Sequence, residues 1–321
     1  MTDSNHTIAL LFPGQGSQAV GMGKDLAEKY PLARQTFEEA DEALGYKLSR
    51  LCFEGPEDQL RLTEITQPAI LTASIAALRV LETRIPKACY VAGHSLGEYS
   101  AHVASGTITF ADAVRTVRNR GKYMQEAVPV GVGAMAAILG MDLDKVTSIC
   151  QEAAQDEVCE PANINSPEQI VVSGNTAAVE RAAKLAEERG AKKAKLLPVS
   201  APFHCALMKP AQDRLEADLN KLKMQKPVYP VACNVDAKLV TDDLSARDTL
   251  VRQVTGSVKW NQCVQLLIGQ GVQTFIEVGP GKVLWGLMRQ IDRSKTCLTV
   301  GDDATLTKTL DALGPTAVIA D

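Results

Sequence analysis

The 321-residue chain is poor in aromatic residues, at 4%. With so few rings, a platform on which nucleic-acid bases stack is not expected. Basic charge is not in excess either: 34 Lys and Arg stand against 38 Asp and Glu, a net charge of -4. An acidic chain without a basic stripe argues against nucleic-acid binding, although net charge does not reveal a local basic pocket. No apolar run approaches the ~20 residues that a membrane helix requires. The start, "MTDSNH", has no cationic stretch followed by an apolar one. No secretory signal is therefore expected, and the cytoplasm is the expected compartment. None of the eight cysteines forms a Cys-x-x-Cys pair, so reduced thiols are expected rather than a disulfide or metal framework. Histidine is scarce too, with only four in the chain, which allows a search for a catalytic base by elimination.

What is present is a globular profile, 45% hydrophobic and 22% charged, in a chain long enough for a large domain with an insert or for two domains. "TIALLF" (7–12) reads as a buried strand and "PAILTASIAALRVLET" (68–83) as a central apolar helix. "ACYVAG" (88–93) reads as a second buried strand, and "EYSAHVAS" (98–105) as the helix after it. This alternation suggests a parallel sheet covered by helices. The rhythm changes near Gly131. A strand (133–140) and an amphipathic helix (142–155) lead to two strands (158–164 and 168–174) around the turn signal Asn165-Ser166-Pro167. A helix (176–190) and a last strand (192–200) follow. The order β-α-β-β-α-β is that of a ferredoxin-like unit. The expected organisation is α/β: an α/β-hydrolase-like domain from 1–128 and 199–321, with a small ferredoxin-like domain inserted at 129–198. A helix at 207–223, a strand at 274–279 and a helix at 281–291 complete the larger part.

After the first strand, "LFPGQGSQAVGMG" contains Gly14-x-Gly16-x-x-Ala19. That spacing fits a loop cradling a dinucleotide pyrophosphate. The acids about twenty residues on, Glu38, Glu39 and Asp41, lie in the helical pattern "LARQTFEEADEAL". A ribose-binding acid should instead end a second strand. Neither Gly23-Lys24 nor Gly281-Lys282 is followed by Ser or Thr, so a Walker phosphate loop is absent too.

"VAGHSLGEYSA" contains Gly93-His94-Ser95-Leu96-Gly97 between an apolar strand and a helix. In that setting G-x-S-x-G makes a sharp turn that exposes the serine hydroxyl at the end of the strand. The bland reading is a serine that caps a helix; the strand before it favours a nucleophile. A serine hydroxyl needs a base. His6 lies in the polar leader. A tight elbow would turn the His94 ring away, and His102 lies ~10 Å along the helix. His204, in "SAPFHCALM", is left as the candidate base, against the bland reading of a loop histidine. No isolated acid follows a core strand between 95 and 204, so a backbone carbonyl is a candidate for orienting the base.

The helix at 111–128 carries an apolar stripe of Val114, Val117, Met124 and Val128, with Arg120 and Gly121 in its gap. An arginine on an apolar stripe must find an anion or reach water. An internal salt bridge and a bidentate clamp for a substrate carboxylate both fit this pattern.

"FPGQGSQAVGMG", "GHSLGEYSA", "RGKYMQEAV", "APFHCALM", "NVDAK" and "EVGPGKVLWGL" occur in this order. Together they resemble the malonyl-CoA:acyl carrier protein transacylases of dissociated fatty acid synthesis, from Phe12 to about Ile291. The resemblance implies ping-pong transfer of a malonyl group from malonyl-CoA to the phosphopantetheine thiol of acyl carrier protein, without metal or redox cofactor. It implies Ser95 as nucleophile, His204 as base and Arg120 as the holder of the malonyl carboxylate, with Met124 and Phe203 beside the acyl group. The Gln15 and Leu96 N–H groups would form the oxyanion hole. A main-chain carbonyl in "SVKW", that of Lys259, would orient the histidine. A discrete acyltransferase of a polyketide pathway, a serine hydrolase and a non-catalytic carrier-docking module stay open as alternatives.

Overall fold

The computed structural model describes residues 7–199 and 201–314; His6 and Ser200 lie outside them. Ten strands occur among the described residues. They are β1 (Ile8–Phe12), β2 (Tyr90–Gly93), β3 (Gly133–Leu139), β4 (Cys159–Ser166) and β5 (Gln169–Asn175). β6 (Lys193–Leu196), β7 (Val231–Ala232), β8 (Leu239–Val240), β9 (Thr274–Val278) and β10 (Thr296–Val300) complete the set. One sheet has the order β10-β9-β1-β2-β7-β8 and the other β4-β5-β3-β6. In the first, every neighbouring pair is parallel except β7 with β8.

The five apolar residues of β1 are all buried because helices cover both faces of its sheet. Successive side chains of a strand point to opposite faces. Ile8, Leu10 and Phe12 accordingly join the cluster around the helix Thr63–Leu81. Ala9 and Leu11 join Trp260, Val264 and Leu284 from the helices Trp260–Gly269 and Val283–Ile291 on the other side.

The second sheet is wholly antiparallel. Its chain order, β3, helix Leu143–Ala154, β4, β5, helix Thr176–Glu188, β6, is the ferredoxin-like order expected from the sequence. It has its own core, with Ile138, Ile170 and Val172 of the sheet against Val146, Ile149 and Ala182 of the helices. β4 is tied to the segment before the helix Trp260–Gly269: Ile164 N–H donates to the Val258 carbonyl at 2.9 Å, and Val258 N–H donates to that of Ala162 at 2.8 Å.

Most elements differ from expectation by a few residues at an end, the helix expected over 207–223 running Lys209–Leu219, and two of the differences have a clear physical reason. The helix expected from Pro68 begins at Thr63 and carries Pro68 inside it. Burial of nearly its whole surface outweighs the loss of one helical hydrogen bond. The strand expected over 192–200 ends at Leu196. Leu197 N–H still reaches the Met135 carbonyl at 2.9 Å, but Pro198 has no N–H with which to extend the ladder. Among the described residues, no helix is long and apolar enough to cross a membrane.

Candidate active site

β2 delivers the chain to a sharp turn. Ser95 has φ 52°, a left-handed conformation that strains a residue with a Cβ by ~1–2 kcal/mol. Asn234 holds it there. Its Oδ1 accepts the Ser95 N–H at 2.7 Å, and its Nδ2 donates to the Gly93 carbonyl at 2.8 Å. A Cβ on Gly97 would overlap the carbonyl oxygens of Phe12 and Pro13, so the turn is pressed onto the end of β1. His94 lines the same cleft as Ser95, but its ring is engaged elsewhere. Its Nε2 lies 2.8 Å from Asn165 Oδ1, and its ring lies against Trp260.

Ser95 Oγ lies 2.7 Å from His204 Nε2. His204 is also left-handed, at φ 61°. Its Nδ1 is 2.9 Å from the main-chain carbonyl of Gln253. A carbonyl only accepts, so Nδ1 carries the proton and Nε2 turns its lone pair to the Ser95 hydroxyl. The orienting carbonyl is thus that of Gln253 and not that of Lys259. Lys259 caps the helix Trp260–Gly269, and its carbonyl takes the Cys263 N–H at 2.9 Å. Burial, and next the charge of Arg120, pull the His204 pKa down to about 3. The ring is neutral near pH 7. His102 is buried, and neither ring nitrogen has a hydrogen-bond partner among the described residues.

Arg120 is 2% exposed. Its bonds go to uncharged oxygens: Nη1 to Gln67 Oε1 at 2.8 Å, Nη2 to Gln253 Oε1 at 2.9 Å and Nη2 to Ser95 Oγ at 3.2 Å. Its guanidinium also lies over the Tyr99 ring, 5.6 Å from the centroid. Gly121 admits this helix to its neighbour, because a Cβ there would overlap the Thr63 carbonyl oxygen. The arginine thus brings a buried cation to the serine hydroxyl without a carboxylate bonded to it.

The opening loop forms the opposite wall. Gly14 packs on the His94 carbonyl, where a Cβ would overlap the oxygen. Within the loop, Gly16 N–H is taken by Gln18 Oε1 at 2.7 Å. The main-chain N–H groups of Gln15 and Leu96 have no acceptor among the described residues. Both residues line the cleft that holds Ser95. Glu38, Glu39 and Asp41 lie on the helix Pro31–Leu44, not at a strand end.

Met124, Phe203 and His204 line the same cleft. The second sheet contributes Met135 and Asn163, and the segment after β6 contributes Leu197 and Val199. The cleft therefore lies between the two sheets. Four residues of the site were not singled out from the sequence: Gln67, Asn234, Gln253 and Glu98. Asn234 opens the quoted segment "NVDAK" and Glu98 lies in "GHSLGEYSA", but neither carries a role there. Glu98 is fully buried, and burial pushes its carboxyl up to about 7.

Residues 9–308 match the family described as "Acyl transferase domain". The chain is 50% identical over 305 residues to the malonyl CoA-acyl carrier protein transacylase of Escherichia coli (strain K12), spanning 95% of this chain and 99% of that protein. The solved malonyl CoA-acyl carrier protein transacylase of Coxiella burnetii has a TM-score of 0.94 to this structure at 43% identity, covering 96% of this chain and 98% of that one. A malonyl-transacylase solved in complex with a type II PKS acyl-carrier protein gives a TM-score of 0.93 at 46% identity, covering 95% and 99%. A parallel sheet with a serine elbow, an inserted antiparallel sheet and likeness along nearly the whole chain agree: the chain belongs to the malonyl-CoA:acyl carrier protein transacylases of the acyl transferase family.

Proposed function

We propose that this chain moves the malonyl group of malonyl-CoA to the phosphopantetheine thiol of acyl carrier protein, through a malonyl ester of Ser95. His204 Nε2 takes the Ser95 proton as Oγ attacks the thioester carbonyl. The oxyanion forms against the unpaired Gln15 and Leu96 N–H groups, each such donor contributing ~3–4 kcal/mol to the transition state. The C–S bond breaks, and coenzyme A leaves as a thiol with the proton from His204. The carrier thiol then attacks the ester with the same base, and Ser95 Oγ recovers its proton. One thioester replaces another, so no energy source is needed.

The observation that carries the reading is the buried Arg120, bonded to uncharged oxygens and 3.2 Å from Ser95 Oγ. A malonyl carboxylate is one methylene from the carbonyl that Ser95 attacks. A cation this close to the nucleophile suits a short diacid. Acetyl would leave it unmatched. Met124 and Phe203 supply apolar walls for the methylene. The expected setting is the cytoplasm, with the small domain spanning 129–198.

The test is intact-protein mass measurement after incubation with malonyl-CoA. A malonyl adduct in the parent chain, absent in Ser95→Ala and discharged by carrier protein, is expected. Release of free malonate at the same rate with and without carrier would instead identify a hydrolase.

A further inference from the structure

We propose that Glu98 and the side chain of Gln253 are positioning residues that keep the charge of Arg120 free for the substrate carboxylate. This rests on the clamp role given to Arg120 above.

Gln253 is fully buried and joins both halves of the site. Its main-chain carbonyl holds His204. Its side-chain Oε1 accepts from Arg120 Nη2 at 2.9 Å, and Nε2 donates to Glu98 Oε2 at 2.7 Å and to the Ser95 carbonyl at 2.9 Å. Only one orientation of the carboxamide satisfies these groups. Turned over, it would set Nε2 against a guanidinium donor and Oε1 against three oxygens.

Glu98 supplies the shortest of three contacts that lock that orientation, the others being the Ser95 carbonyl at 2.9 Å and Asn234 Oδ1 at 3.4 Å. Its Oε2 also takes the Asn234 N–H at 3.0 Å. Asn234 in turn grips Ser95 and Gly93, so the same carboxylate steadies the elbow and the clamp. Oε1 of Glu98 is buried without a partner among the described residues, while Oε2 already accepts two N–H groups, so any proton on this acid sits on Oε1 and Oε2 remains an acceptor.

The interposed amide explains why a buried glutamate near a buried arginine does not quench it. A carboxylate on Nη2 would add the attraction of a second full charge, which a neutral amide oxygen does not offer. It would compete with the substrate. Through Gln253, Glu98 imposes direction while Arg120 meets only a neutral oxygen.

The test is steady-state kinetics of the full chain with malonyl-CoA and acetyl-CoA, carrier protein as acceptor. Glu98→Leu removes the acceptor, and Gln253→Met removes the amide while keeping the carbonyl that holds His204. Each is expected to raise the malonyl KM tenfold or more and to lower the malonyl-to-acetyl ratio of kcat/KM at least tenfold. Glu98→Gln retains an oxygen for both N–H donors and is expected to restore that ratio to within about threefold of the parent. Equal losses for both substrates in Glu98→Leu and Gln253→Met would overturn the proposal, as would a Glu98→Gln ratio no better than that of Glu98→Leu. Arg120→Ala separates the two levels. If its ratio does not fall, the clamp itself is wrong. If it falls while the Gln253→Met ratio holds, only the positioning role fails. Should Glu98→Leu not fold, Gln253→Met and Glu98→Gln decide the matter.

Discussion

Arg120 Nη2 lies 3.2 Å from Ser95 Oγ, so one buried cation touches both the nucleophile and the place where an acyl substituent must lie. A buried charge pair broken on one side costs about 3–5 kcal/mol. Arg120→Ala is therefore expected to lower kcat/KM for malonyl-CoA by about 10²–10⁴-fold. Acetyl transfer should be spared or raised, since acetyl has no carboxylate to match. Kinetics with the two thioesters check this; a common fold-loss would mean that the arginine serves only the serine.

The pH dependence follows from His204. The ring must be neutral to accept the serine proton, and its pKa is drawn down to about 3, by burial first and by Arg120 second. A lowered pKa keeps the base neutral at more acidic pH. No fall in acetyl kcat/KM assignable to His204 is expected between pH 7 and pH 5. Removing the second cause in Arg120→Ala should move the acid limb to higher pH, and burial should still hold it below 6.5. The measurement is a pH profile with acetyl-CoA. An acid limb that stays in place, or moves down, would show that the Arg120 charge does not reach the ring.

The elbow was readable in the sequence because all its signals are local: a strand, Gly93, Ser95, Gly97 and a helix within a dozen residues. The inserted sheet was readable for the same reason, its helices and strands each having a clear period. The groups that hold Ser95, His204 and Arg120 were not. Asn234 reaches Ser95 across 139 positions and Gln253 across 158. "NVDAK" marks the Asn234 segment as part of the resemblance, but no local pattern says that its first residue reaches Ser95, and nothing marks Gln253. The orienting carbonyl shows the limit most plainly. Any residue can supply a carbonyl, so side-chain type did not separate Gln253 from Lys259. What separates them is that the helix start at Trp260 already consumes the Lys259 oxygen. Strands β7 and β8 were missed because two residues each carry no periodicity. Arg120 was half readable: the stripe placed it inward, and only the fold showed uncharged oxygens around it.

Gly121 offers a stability test in which two effects oppose. Alanine in place of a helical glycine gains about 1 kcal/mol of helix propensity. Here its Cβ would overlap the Thr63 carbonyl oxygen and press on Glu64 Cα, both main chain. Overpacking against backbone costs about 1–3 kcal/mol, and with β-branched valine the steric cost should win clearly. Gly121→Val is expected to lower Tm by several degrees and, by displacing Arg120, to raise the malonyl KM more than the acetyl KM. Thermal melts and the two KM values check it. An unchanged Tm would show that the helices separate without strain.

His102 predicts how stability responds to acid. It is 0% exposed, and among the described residues neither ring nitrogen has a hydrogen-bond partner. Burial pulls its pKa down from 6.5 to about 3. A histidine whose pKa is depressed by folding binds its proton in the unfolded chain first. Its contribution is therefore unfavourable below pH 6.5 and grows as pH falls toward 3. At pH 5 that loss amounts to ~2 kcal/mol. Glu98, whose pKa is raised by burial, acts in the opposite sense, and it cancels when a His102 variant is compared with the parent. His102→Leu removes a titrating ring and two unpaired polar atoms from an apolar site. The drop in unfolding free energy between pH 7 and pH 5, from urea titrations, should be smaller in His102→Leu by about 2 kcal/mol. An equal drop in both proteins would assign the acid sensitivity to other groups, His204 foremost.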